Sequence, residues 1–287
     1  MSQVTGRLVH CDIDDGRRIT ASIFGSGDAD RVLLFDAGSF GSWVDGAHLC
    51  REMAQRGWLA VSHSRAGMYP SDPAPEGTVL DPRFHVADMI RLLDALSIRV
   101  PIILAGHSMA GLRLHHAGNT AATRLCGLAF IDAVCPSLAN DRTWAGWTVF
   151  ARTVAETGVQ VMGTPMGSLI ENFHPNMLDL EGDERFTKVK SISSPAHLAT
   201  AADEFRAMDR SSRVVEVDEA LHLPSFFATA TPASQGTTDL MKRYAEAGTW
   251  AERIKFPMEG HISILTPPAV ETIATGIEEL WEVSVAL

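Results

Sequence analysis

The chain's most chemically suggestive residues lie between Pro101 and Gly111: Pro-Ile-Ile-Leu-Ala-Gly-His-Ser-Met-Ala-Gly. Ile102 to Ala105 is a short apolar run of the kind that makes a strand buried on both faces. It ends at Gly106-His107-Ser108-Met109-Ala110-Gly111, after which helix-compatible residues begin. A serine at so sharp a strand-to-helix turn is held in a strained backbone conformation that lifts its hydroxyl above the sheet. Strand and helix nearly collide there, so small residues are needed two before and two after the serine. Gly106 is the first. Ala110 stands where a second glycine is usual, and Gly111 follows one place late. A serine hydroxyl becomes a good nucleophile only when a neighbouring base takes its proton, and histidine suits that work because its free pKa lies near neutrality. With 11 histidines in the chain, residue type alone does not single one out.

The elements that must position such groups can be read in order. Leu8 to Asp12 and Arg18 to Phe24 form a hairpin about Asp14-Asp15-Gly16. Arg31 to Phe35 is a buried strand opening into Asp36-Ala37-Gly38-Ser39-Phe40-Gly41, a glycine-bearing loop able to bring a backbone N–H near a reacting oxygen. His48 to Arg56 is an amphipathic helix stopped by Gly57, and Trp58 to Val61 is the next strand, with His63 just beyond it as a packing residue. Phe84 to Leu96 carries Val86, Met89, Ile90 and Leu93 at helical spacing. After Ser108, a helix over Leu112 to Ala117 points its dipole at the hydroxyl, and Leu125 to Ile131 is a further buried strand ending in Asp132. From Pro136 to about Val215 the period changes. Trp144 to Thr157 and Ala196 to Met208 read as helices, Gly158 to Pro175 is rich in glycine, methionine and proline, and no sheet strand is expected. Leu223 to Thr231 returns to the sheet, Thr238 to Ala247 is a helix, and Ala251 to Phe256 is the last strand. Beyond it lie Glu259-Gly260-His261-Ile262-Ser263-Ile264 and a final helix over Pro267 to Trp281. Strands alternating with helices imply a mostly parallel sheet with right-handed crossovers and helices on both faces.

With the Gly-x-Ser turn in this setting, the chain resembles the α/β-hydrolase superfamily over nearly its whole length. The resemblance implies an α/β-hydrolase core from residues 1–135 and 216–287, with 136–215 as a helical lid over the C-terminal edge of the sheet. Trp144, Trp147, Phe150, Met162, Met166 and Phe173 would pack that lid or line a pocket. Ser108 matches the family's nucleophile, and the N–H of Met109 matches one oxyanion donor. The loop after the Arg31–Phe35 strand often reads His-Gly-x in this family, which makes Ser39 the second donor; Asp36-Ala37 replaces the usual histidine, and Phe40 is the alternative. Ser64-Arg65-Ala66-Gly67-Met68-Tyr69-Pro70-Ser71 resembles the family loop that buttresses the nucleophile turn. His261 matches the Gly-His loop before the last helix. For the carboxylate that orients the imidazole, most members use a position after the strand that follows the lid. Thr229-Ala230-Thr231-Pro232-Ala233 offers none, and the nearest, Asp239, falls within an expected helix. Asp132 occupies the position a minority of the family uses, and it is the preferred choice.

Composition narrows the reading further. Lys plus Arg total 24 against 35 Asp plus Glu, a net charge of −11, which argues against nucleic acid or an anionic membrane as partner. No apolar run approaches a membrane span, and the polar start of the chain lacks a signal-peptide core. Cys11, Cys50, Cys126 and Cys135 form no Cys-x-x-Cys pair, and a reduced, cytoplasmic setting is expected. No metal-ligand spacing and no dinucleotide fingerprint is present. The expectation is a cofactor-free serine hydrolase of carboxylic esters, lactones or similar small apolar acyl compounds. Two alternatives use the same framework: a non-hydrolytic enzyme of the cofactor-independent dioxygenase or hydroxynitrile lyase type, and a small-molecule receptor.

Overall fold

A computed structural model describes residues 4–139, 142–162, 164–167, 175–214, 219–230 and 235–286. Eight strands form one sheet: β1 (Arg7–Asp12), β2 (Arg18–Phe24), β3 (Val32–Asp36), β4 (Leu59–His63), β5 (Ile102–His107), β6 (Leu125–Ile131), β7 (Ser225–Ala230) and β8 (Ala251–Phe256). Their spatial order is β1-β2-β4-β3-β5-β6-β7-β8. The expected hairpin forms, pairing Arg7 with Ile23 through Asp12 with Arg18, and Gly16 takes a φ of +85° in its turn, a left-handed value that glycine adopts without strain. β2 runs antiparallel to β4, and every pairing from β4 across to β8 is parallel.

The strands β3 and β5 read as continuous apolar runs because both faces of the sheet are covered. Successive side chains nevertheless alternate between two cores. Leu33, Phe35, Ile103 and Ala105 join one layer, and Val32, Leu34, Ile102 and Leu104 join the other. The first layer is closed by α1 (Ala47–Gln55), which places Leu49 and Met53 there, and by the last helix (Pro267–Ala286), which adds Ile273, Ile277 and Leu280. The second is closed by α2 (Pro82–Ala95) and α3 (Ala110–Thr120), through Met89, Leu92 and Leu114. α2 starts where the sequence can start it: the Asp81 carboxylate accepts from the Phe84 N–H and Pro82 fills the first turn. Each fully buried Leu, Ile or Met side chain contributes about 1.5–3 kcal/mol.

Between β6 and β7 the described residues form helices and no strand: α4 (Pro136–Ala139), α5 (Arg142–Met162), α6 (Gly182–Ser193) and α7 (Pro195–Val214). α8 (Gln235–Ala247) precedes β8, and the Pro267–Ala286 helix is α9. Two differences from the sequence reading have physical causes. α5 runs through Gly158 to Met162, beyond the helix expected over Trp144 to Thr157, because α7 packs there; a Cβ at Gly158 would lie 2.8 Å from Leu198 Cδ1. α6 has no counterpart among the expected elements, because it buries only Ser191 and so carries little apolar periodicity. Ion pairs fasten it to the core instead: Glu184 to Arg51, and Lys188 Nζ to Asp45 Oδ1 at 2.8 Å. Phe173, Thr231, Pro232, Ala233 and the expected boundary at 215/216 lie outside the described residues.

Five histidines, His63 among them, are buried in this framework and kept uncharged. Burial lowers the pKa of His85, His107 and His197 to about 4 and that of His115 to about 3. The unfolded chain binds protons at these sites near pH 6.5 while the native chain does not, so stability falls as pH drops below about 6.5. The expected result is a urea midpoint that declines between pH 6.5 and 5, above the range where exposed carboxylates titrate, as the unfolding free energy falls by up to about 1.4 kcal/mol per pH unit for each proton taken up. A midpoint constant over that interval would contradict the burial of neutral imidazoles. A second test addresses packing. A Cβ on Gly276 in α9 would come within 2.2 Å of Phe226 Cε2, so Gly276→Val should lower the unfolding free energy by about 1–3 kcal/mol.

Candidate active site

Ser108 sits between β5 and α3 with a φ of +56°, a left-handed value that a residue with a side chain adopts at a cost. The turn is as tight as its sequence implies. A Cβ on Gly106 would lie 2.5 Å from Leu114 Cδ1 and 2.7 Å from Ala110 Cβ. A Cβ on Gly111 would lie 2.1 Å from the Val134 carbonyl oxygen. The glycine one place late therefore lets the chain after β6 pass close to α3, while Ala110 is small enough for its own position. That passing chain is stitched to the turn: the Val134 N–H donates to the Ser108 carbonyl at 2.8 Å, and the Ser108 N–H to the Ile131 carbonyl at 3.2 Å.

Asp132 follows β6 directly, also at positive φ (+41°). Its N–H donates to the Ala228 carbonyl at 2.7 Å, and its Oδ1 accepts from the Ala230 N–H at 3.0 Å. Its Oδ2 lies 2.6 Å from His261 Nδ1, and His261 Nε2 lies 2.9 Å from Ser108 Oγ. With a carboxylate on the Nδ1 side the imidazole proton belongs on Nδ1, leaving the Nε2 lone pair to accept from the serine hydroxyl. Burial acts to raise the Asp132 pKa, but the His261 ring and the Ala230 N–H outweigh it and hold the carboxyl below the usual range. Asp239, the other candidate carboxylate, is on α8 with its side chain 49% exposed and pairs with Lys242 at 3.4 Å. The structure brings Asp132, and not Asp239, to His261.

The His261 loop is held from beneath by a residue that sequence reasoning passed over. His107, 4% exposed, lies with its Nε2 2.7 Å from the His261 carbonyl oxygen, and the two rings are 4.5 Å apart. Its neighbourhood to Ser108 was visible in the motif, but nothing in the sequence indicates which way its ring turns.

On the opposite side of Ser108 runs the loop after β3. A Cβ on Gly38 would fall 2.8 Å from Ser108 Cβ, so only glycine lets this loop lie against the serine. Ser39 and Phe40 follow, Phe40 at a φ of +58°, and the Gly41 N–H closes the turn onto the Gly38 carbonyl at 3.1 Å. Met109 is buried and caps α3, whose first-turn N–H groups have no partner within the helix. Behind the loop is a buried ionic cluster that the sequence did not reveal. Asp36, 0% exposed, accepts from Arg113 Nε at 2.5 Å and from Arg65 Nη1 at 3.1 Å. Burial would raise its pKa, yet the two guanidiniums hold it far below the carboxylate range. Asp36 stands where the sequence reading noted a missing histidine, and its role is as an anchor for two arginines. The motif around Arg65 was the only available signal, because its partners lie 29 and 139 positions away in the chain.

Ser108, Asp132 and His261 also line a cavity of about 310 Å³ walled by Phe130, Phe227, Leu240, Trp144 and Trp147. The two tryptophan rings stack at 5.0 Å. Phe150 and Met166, expected either to pack the lid or to line a pocket, are 66% and 59% exposed and do not line it. Among the described residues no group of His, Cys, Asp and Glu is arranged to hold a metal ion, and no helix is long and apolar enough to cross a membrane. A hydroxyl, an imidazole and a carboxylate in series, beside an apolar cavity, can move a proton away from the hydroxyl as it attacks.

No protein-family model matches the chain, and no curated protein matches its sequence. Solved structures do match it. A proposed α/β hydrolase from Nostoc sp PCC 7120 superposes with a TM-score of 0.74 at 16% identity, over 96% of this chain and 98% of the other. An epoxide hydrolase from Vigna radiata gives 0.66 at 14% identity, over 98% and 99%. A membrane phospholipase A, a bacterial virulence factor, gives 0.69 at 16% identity, over 99% and 88%. Agreement along the full length at such low identity is agreement of backbone path: this chain has the α/β-hydrolase fold.

Proposed function

We propose that the chain is a serine hydrolase of carboxylic esters, lactones or similar acyl compounds, working through an acyl-enzyme. The observation that carries this reading is the unbroken series from Ser108 Oγ to His261 Nε2 (2.9 Å) and from His261 Nδ1 to Asp132 Oδ2 (2.6 Å). Ser108 attacks the substrate carbonyl carbon while His261 takes the hydroxyl proton. Asp132 keeps the ring in the tautomer that can do so and stabilises the imidazolium. The N–H groups of Ser39 and Met109 receive the oxyanion, and α3 adds its dipole. His261 then returns the proton to the leaving alcohol. Water, deprotonated by the same ring, releases the acid. The sequence of steps calls on these side chains and on no cofactor.

The cavity supports a small apolar substrate, since aromatic and aliphatic walls surround the reacting groups. In this reading the helices between β6 and β7 serve as a lid, because Trp144 and Trp147 of α5 contribute part of that wall. The four cysteines are all free thiols, in keeping with a cytoplasmic setting. A second reading, non-hydrolytic dioxygenation on the same framework, draws on the position of the acid after β6. Oxygen uptake with a heteroaromatic substrate, in place of ester turnover, would favour it.

Four variants test the proposal. Ser108→Ala should reduce hydrolysis of p-nitrophenyl acetate by at least about a thousandfold with an unchanged circular dichroism spectrum. Asp132→Asn, which removes the charge behind His261 and leaves its shape, should lower kcat by about 10²–10⁴-fold, whereas Asp239→Asn should leave it unchanged. Trp147→Ala should raise KM for esters of bulky aromatic groups several-fold while barely altering that for the acetate. Ester turnover undiminished in Ser108→Ala would dispose of the mechanism.

A further inference from the structure

The oxyanion donor assigned to Ser39 is a backbone N–H, and its direction depends on the plane of the Gly38–Ser39 peptide. In a trans peptide the C=O of one residue and the N–H of the next point in opposite directions. Whatever fixes the Gly38 carbonyl therefore aims the Ser39 N–H. Two donors reach that carbonyl: the Gly41 N–H at 3.1 Å and Arg65 Nη2 at 3.0 Å. The preceding carbonyl, that of Ala37, accepts from Arg65 Nη1 and from Arg113 Nη2, each at 2.6 Å. One guanidinium thus grips two successive peptides of the loop that lies against Ser108.

Arg65 is itself gripped from outside the sheet. Glu204, on α7 of the segment between β6 and β7, takes Arg65 in a two-toothed contact: Nε to Oε1 at 2.8 Å and Nη2 to Oε2 at 3.0 Å. Both side chains are buried, Arg65 3% and Glu204 2% exposed. With Asp36 and Arg113 they make a cluster of two carboxylates and two guanidiniums whose charges cancel, and His85 beside Glu204 is held neutral by burial. A planar fork bonded on both edges leaves a guanidinium little freedom to rotate. The Nη2 that meets Glu204 is the same atom that meets the Gly38 carbonyl.

We infer that Glu204 is a positioning residue: from the helical segment it orients Arg65, and through Arg65 it aims the Ser39 N–H at the developing oxyanion. The inference rests on the hydrolase reading above. It makes the packing of α7 on the core a condition for a working oxyanion site, and it gives a segment that supplies no reacting group a part in the chemistry.

A thionoester separates this role from a structural one. Replacing the carbonyl oxygen of p-nitrophenyl acetate with sulfur leaves a weak hydrogen-bond acceptor where the oxyanion would form, so the ester-to-thionoester ratio of kcat reports how well the donors are aimed. Glu204→Gln keeps volume and one acceptor oxygen but loses the charged fork. It should lower kcat for the ester about tenfold with KM within about twofold, and the ester-to-thionoester ratio should fall by a similar factor. Arg65→Lys, whose single ammonium does not span both carbonyls and Glu204, should do the same and serves as the second variant. A folded Glu204→Gln protein with the wild-type ratio would overturn the inference and leave the hydrolase reading intact. Failure of both variants to fold would also overturn it, since a purely structural role would then suffice. A wild-type protein that turns over neither compound would remove the hydrolase reading, and the inference with it.

Discussion

The structure turns on one tight corner. Ser108 at a φ of +56° needs the strand before it, the helix after it and two neighbouring loops to come within contact of one another. Gly106, Gly111 and Gly38 are the places where those elements touch, and at each an added methyl would overlap an atom of the next element. A left-handed serine costs of order 1–3 kcal/mol, which the surrounding sheet must offset. It does so with two continuous core layers, one on each face. The hydroxyl stays exposed to the cavity because its backbone has no freedom to relax.

Around that corner the chain uses two kinds of support. Apolar burial sets the positions of the strands and helices, where a shift of a few tenths of an ångström is tolerable. Directional bonds set the loops, where it is not. The loop after β6 is tied to β5 and β7 by main-chain bonds, so the Asp132 carboxylate arrives with one oxygen already satisfied and the other free for His261. The His261 loop is tied through its own carbonyl to the buried His107 ring. The loop after β3 is tied by two guanidiniums. Buried ion pairs of this sort add little stability compared with apolar residues of the same volume, but they fix orientation. At a reacting centre, orientation is what matters.

The sequence made the architecture legible because α/β order, apolar strands and the strand–turn–helix around Ser108 are local signals. Ser108 and His261 were legible for the same reason, since each sits at a defined place relative to a strand end. The carboxylate was harder. Asp132 and Asp239 both follow late strands, and only the folded chain shows that one lies against the imidazole while the other is half-exposed beside Lys242. The ionic cluster could not be read, because Asp36, Arg65, Arg113 and Glu204 are scattered along the chain and only Arg65 stands in a motif that draws notice to it. Helix α6 was missed because it is held by charge pairs rather than by an apolar stripe.

In the proposed mechanism the His261–Asp132 pair makes the Ser108 hydroxyl an activated nucleophile. Labelling the native protein with a fluorophosphonate, followed by proteolysis and mass mapping, tests it without knowledge of the natural substrate. The expected result is one adduct, on the peptide carrying Ser108, lost when the chain is denatured before labelling. An unlabelled native chain, or an adduct on another residue with Ser108 free, would contradict it.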